Sequence, residues 1–273
     1  MDAEKALSDA LKGAIRWKLG QVDAPLEDDL LQLLVRYYNI SARITPARPW
    51  RVEFSDELNK QLPSLSAPIQ AGLELLCAAA KQGLDLRPWL HDGLFSDKQD
   101  ALWNDWGMQH FHLGAQLELS DACRVRVKRT GELLYAIHRS DQGVLYLIAI
   151  FDHKSFSKQQ LVEITHRQWP RLIDHARVEN LVDISFSPTN SDIHRLRKNQ
   201  INAAIEVDGV YYLPIGGGMT LSGHSTNAVQ WAQHVIRGLH SIVSRVTKPH
   251  FVLDGPWICL VDEHEQLQFI LRP

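Results

Sequence analysis

The chain has 273 residues, 45% of them hydrophobic and 22% charged, with a net charge of -3 at pH 7. That length holds one large domain or two modest ones with a substantial core, and the composition excludes a disordered chain. The slightly acidic balance excludes a protein coated in positive charge, so a nucleic-acid or membrane contact would need a local basic patch.

The start of the chain, "MDAEKALSDALKGAIRW", has neither the basic n-region nor the apolar h-region of a signal peptide. The longest apolar run, "VLYLIAIF" at 144–151, is too short to span a bilayer. Cys77, Cys123 and Cys259 are odd in number and contain no CxxC, which argues against a disulfide framework and a zinc ribbon. The expectation is a cytoplasmic protein without membrane contact.

In chain order, Ala6, Leu7, Leu11 and Ile15 have helical spacing within 3–18. After Pro25, "LEDDLLQLLVRYY" predicts a helix with acids in its first turn and Arg36 in its last. Pro46 and Pro49 predict a break, and "SAPIQAGLELLCAAAKQG" a largely apolar helix ending at Gly83. Residues 1–95 thus read as a helical N-terminal subdomain.

From 96 to 273 the pattern becomes α+β. A short helix, "DKQDALWNDWG", leads into a strand at "QHFHL". "CRVRVKR", a turn at Thr130-Gly131, "ELLYAIHR", a turn at Asp141-Gln142-Gly143 and "VLYLIAIFDH" follow with period-two alternation. This predicts an antiparallel meander over 109–153. Ser157 and Gln160 form a capping-box pattern before "KQQLVEITHRQW", whose Leu161, Ile164 and Thr165 should face the sheet; Pro170 stops that helix. A short basic helix, "SDIHRLRKNQ", precedes a hairpin with Asp208-Gly209 at its turn. A glycine-rich loop, a helix from about Asn227 to Arg245 and a hairpin of "WICLV" and "LQFIL" around Asp262 to Glu265 complete the chain. Trp103, Trp106, Trp169, Trp231 and Trp257 are expected in a core or at a subdomain interface. The fold class is α+β, a helical N-terminal part followed by a mainly antiparallel sheet with packed helices.

The candidate chemistry lies in the meander. On a strand His110 and His112 point to one face while Phe111 and Leu113 point to the other. If the latter pair anchors the core, both imidazoles should open into a cleft. His138 and His153, at the ends of later strands, could converge with them, and one or the other is expected to contribute to the cleft. Arg124, Arg126 and Lys128 fall on one strand face, with Arg129 at the turn and Arg139 across it. Three like charges in a row are costly unless solvated or matched to a polyanion. Imidazoles for proton transfer and arginines for a dianionic transition state are the equipment of a metal-independent ribonuclease. Such an enzyme would need no cofactor, and a toxin or defence setting would suit it.

Two alternatives stand beside it. The histidines are structural in a protein that binds a partner or a nucleic acid, or His110 and His112 are ligands of a metal-dependent hydrolase. The acid that follows, Glu118, does not complete a ligand set by its spacing. "GGGMTLSGHST" offers a weaker anion site through Gly216, Gly217, Gly218, Ser222 and His224, because glycine amides before a helix start can cradle phosphate. It has no GxxxxGK[ST] and no GxGxxG, and an ordinary turn with a Ser or Thr cap is the competing reading.

Overall fold

A computed structural model describes residues 3–20, 28–91, 100–120, 124–179, 186–243, 246, 249–262 and 267–271. Cys123, Arg245, residues 97–99 of the expected short helix and the expected turn at 263–265 lie outside them. The fold is α+β. Among the described residues there are eight α-helices, and the strands pair mostly antiparallel.

The chain divides into two compact units. One joins Met1–Ile44 to His224–Pro273; the other joins Thr45–His91 to Asp100–Gly223.

In the first unit, α1 (Ala3–Leu19) and α2 (Leu30–Ser41) share a core with α8 (Thr226–Ile242) and a sheet of β9 (Pro249–Asp254), β10 (Trp257–Asp262) and β11 (Leu267–Leu271). Leu7, Leu11, Ile15 and Leu19 form the buried stripe of α1. The acids expected in the first turn of α2 precede it instead. Asp29 caps the helix by accepting the Gln32 N–H at 2.9 Å. The helix then runs on to Ser41, which places Arg36 in mid-helix and buried. The C-terminal hairpin β10–β11 forms as expected. The periodicity missed β9, which pairs with the other edge of β10. Trp257, expected in a core or at a subdomain interface, is 44% exposed.

The second unit is built on a four-stranded sheet in the order β1–β6–β5–β2, with β1 at Arg51–Phe54, β2 at Gln109–His112, β5 at Glu132–Arg139 and β6 at Val144–Asp152. The strands at 109–112, 132–139 and 144–152 lie in one sheet as expected. The unexpected strand is β1, which runs parallel to β6 from Arg51↔Val144 to Phe54↔Leu147. Between β1 and β2 lie α3 (Asp56–Gln61), α4 (Ala67–Gln82) and α5 (Ala101–Trp106). Gly83 ends α4 at φ 76, the left-handed cap expected of it.

"CRVRVKR" does not belong to this sheet. Val125–Val127 forms β4 and, among the described residues, pairs with β3 (Leu117–Leu119) in a separate two-stranded ribbon.

Helix α6 (Gln160–Gln168) buries Leu161, Val162 and Thr165, and Leu161 and Ile164 pack into the core that holds Leu133 and Tyr135. Ser157 does not cap it. The helix begins beyond Gln159, whose N–H donates to Asn190 Oδ1, and its opening amides bond backbone carbonyls. Helix α7 (Asn190–Lys198) has a capping box of Thr189 and Asp192. Arg197, expected on its basic surface, is buried. Strands β7 (Ile205–Val207) and β8 (Val210–Tyr212) form the expected hairpin, with Asp208 and Gly209 both at positive φ.

Gly217 and Gly218 have φ of 90° and 80°, as the glycine run requires. Gly216 is glycine for a different reason, since a Cβ there would lie 2.0 Å from the Trp103 carbonyl oxygen. Gly216→Ala is therefore expected to destabilise the unit by about 1–3 kcal/mol, the usual cost of overpacking. A melting temperature equal to that of the parent would contradict this packing.

Candidate functional site: an imidazole cluster on the sheet

Pairing with β5 sets the rotation of β2. His110 lies opposite Tyr135 and His112 opposite Leu133, so both imidazoles stand on the face that α6 covers. Phe111, opposite Leu134, faces away and is fully buried. The alternation is as expected, but the cleft is not. His110 is 8% exposed and His112 3%, because both faces of β2 are covered.

Four imidazoles meet here. His110 is stacked on His91, with ring centres 4.9 Å apart and planes within 13°. His112 is 6.2 Å from His110 and 5.5 Å from His153. Phe156 packs against His110 at 5.0 Å and His153 at 6.1 Å. His153 is exposed and His91 partly so, which leaves the buried pair with an accessible ring at either end.

His138 does not join them. It sits on the other face of the sheet, where Nδ1 meets Gln109 Oε1 at 3.0 Å and Trp103 stacks on the ring at 5.8 Å. The parity of β5 dictates this, since Tyr135 and His138 are an odd number of residues apart.

His91 was missed by sequence reasoning, as was its partner Asp100. The carboxylate caps α5 by accepting the Trp103 N–H at 3.1 Å, and its other oxygen is 3.3 Å from His91 Nε2. Burial opposes its charge, but the His91 hydrogen bond and the nearby imidazoles win and hold it at about 2. Arg129 Nη1 donates to the Leu90 carbonyl beside His91 at 3.1 Å.

Burial pushes His110 down to about 4, with Asp100 pulling the other way. Burial and then the Arg129 charge push His112 down to about 3. Both rings are neutral at physiological pH, and neither Nδ1 has a protein partner. Among the described residues no group of three His, Cys, Asp or Glu is arranged to hold a metal ion, so His110 and His112 lack a third ligand there.

The expected basic ladder is dispersed. Arg126 pairs across the ribbon with Glu118 at 2.9 Å, and Arg139 is bound to both carboxylate oxygens of Asp141. Arg124 and Lys128 flank the ribbon rather than the four-stranded sheet. Arg129 at the turn is the cation whose charge reaches His110 and His112.

The glycine loop does not present an anion cradle. The Gly216, Gly217 and Gly218 amides donate to the carbonyls of Asp105, Pro214 and Asn104. Ser222 Oγ lies 2.9 Å from Thr220 Oγ1, and His224 falls in the other unit. Backbone amides already engaged within the fold are not available to phosphate.

No helix among the described residues is long and apolar enough to cross a membrane. No protein-family model, curated protein or solved structure matches the chain.

Proposed function

We propose that the chain is a nuclease-like enzyme that cleaves RNA or a related phosphate-containing polyanion by histidine acid-base chemistry. The observation that supports this reading is the run of imidazoles from His91 to His153, with a carboxylate on one end and the Arg129 cation alongside.

With Nε2–H donating to Asp100, His91 keeps Nδ1 free to accept a proton. A base oriented by a third group is the arrangement general-base catalysis requires. His153 has its Nε2 3.3 Å from the Thr130 carbonyl, so Nε2–H donates there and Nδ1 carries the proton for a leaving group. Arg129 answers the negative charge that grows on the phosphoryl oxygens. His110 and His112, buried and neutral, hold the working rings in place.

Replacing the exposed His153 with alanine is expected to leave melting nearly unchanged and to lower RNA cleavage about 10² to 10⁴-fold. Both are measured on one preparation, and unchanged cleavage in a folded variant contradicts the assignment. The burial of His110 and His112 favours a second reading, a non-enzymatic binding protein with structural histidines. That protein would bind RNA or a protein partner and leave RNA intact.

A further inference from the structure

The cluster has groups that move protons, but the described hydroxyls beside it are engaged or buried. Thr130 Oγ1 donates to the Glu132 carbonyl and receives the Leu113 N–H. Ser155 Oγ donates to Asp152 Oδ1, and the Tyr135 hydroxyl donates to the Asp152 carbonyl. Burial pushes Tyr135 ionisation upward, so its hydroxyl stays protonated. Cys77 is buried on α4 with its thiol pushed up to about 11 by burial, and Cys259 belongs to the other unit. Ser155 and Ser157 are buried, so among the described residues the site holds a base, an acid and a cation, with no hydroxyl or thiol open to attack phosphorus.

We infer that the substrate brings the nucleophile, the 2′-hydroxyl of the ribose next to the scissile phosphate, so the site acts on RNA and passes over DNA. This inference rests on the acid-base reading of His91 and His153. The competing nucleophile is water, and magnitudes decide between them. A positioned acid and base supply about 10² to 10⁴-fold, far less than a phosphodiester needs. A nucleophile on the same molecule brings effective molarities of about 10⁵ to 10⁸ M, which a site with no open nucleophile among its described residues gains by accepting ribose.

The step balances within the substrate and the two rings. His91 Nδ1 takes the proton of the 2′-hydroxyl. The 2′ oxygen bonds to phosphorus while the bond from phosphorus to the 5′ oxygen breaks. That departing oxygen takes the proton from His153. The products are a 2′,3′-cyclic phosphate and a 5′-hydroxyl, with no water and no redox partner consumed. Proton exchange with solvent resets both imidazoles.

The test uses the full chain and four strands of one sequence: all RNA, all DNA, DNA with a single ribonucleotide, and the same strand with that ribose 2′-O-methylated. The expected result is cleavage of the all-RNA strand and a single cut 3′ of the lone ribonucleotide. Its new end should carry the mass of a cyclic phosphate. The all-DNA and methylated strands should react at least about a thousand-fold more slowly, given what an adjacent nucleophile supplies. Comparable cutting of all four, or a 3′-hydroxyl with a 5′-phosphate at the cut, overturns the substrate-borne nucleophile and leaves the acid-base reading standing. If even the all-RNA strand survives, both fall together.

Discussion

Replacing Arg197 with methionine is expected to cost about 3–5 kcal/mol, enough to unfold a marginal domain, because it leaves Asp105 as a buried charge without its partner. The Arg197 side chain is 5% exposed and that of Asp105 9%, and Nε donates to Oδ2 between them. The same guanidinium lies 4.1 Å over the Trp106 ring and donates through Nη1 to the Phe156 carbonyl. It therefore ties α7 to α5 and to the turn that carries His153 and Phe156. Burial pushes Asp105 up and Arg197 down, in each case against the pull of its partner, so the pair is held at a desolvation cost. The double variant Asp105→Asn, Arg197→Met should accordingly lose less than Arg197→Met alone. Denaturant unfolding of the three proteins checks this. A single variant within about 1 kcal/mol of the parent would show the pair to be as weak as a surface one.

The second large effect is acid sensitivity. Burial pushes His110 and His138 down to about 4 and His112 to about 3, against an ordinary value of 6.5. The unfolded chain takes up these protons near pH 6.5, whereas the folded chain refuses them until near pH 4. Stability therefore falls as pH drops below 6.5, by up to about 1.4 kcal/mol per pH unit for each ring. At pH 5 each imidazole, His110 and His112 buried and His138 partly so, removes up to roughly 2 kcal/mol, so the three together rival the stability of a typical domain. Asp100, held low, acts in the same sense, but its contribution is lost only from its ordinary value of 3.8 down to about 2. Thermal melts from pH 7 to pH 4 should show a steep fall between pH 6 and 5. Replacing His138 with phenylalanine should make that slope shallower. A melting temperature constant from pH 7 to 5 would contradict the burial of these rings.

The parts of the site that were legible in the sequence are those set by local alternation. Strand pairing put His110 and His112 on one face and Phe111 on the other, as period two requires. Alternation says which side a residue faces but not what covers that side. Here Phe156 and the α6 core cover it, and a pattern that requires only one buried face cannot distinguish one covered face from two. Strand β1 was hidden because its four residues follow Pro49 and pair with a strand more than ninety positions on. His91 follows a short turn at Arg87–Trp89 and has no periodic neighbours, so only the stack on His110 identifies it. Arg197 looked like one more cation on a basic helix. Its partner, Asp105, lies 92 positions away beside the opening of β2.

The most direct test of the acid-base reading is cleavage of a single-stranded RNA by the purified, folded full chain in excess EDTA. Histidine chemistry at His91 and His153 predicts turnover there, with a bell-shaped dependence on pH from one ring acting unprotonated and the other protonated. A folded chain that leaves the RNA intact at stoichiometric concentration would contradict it.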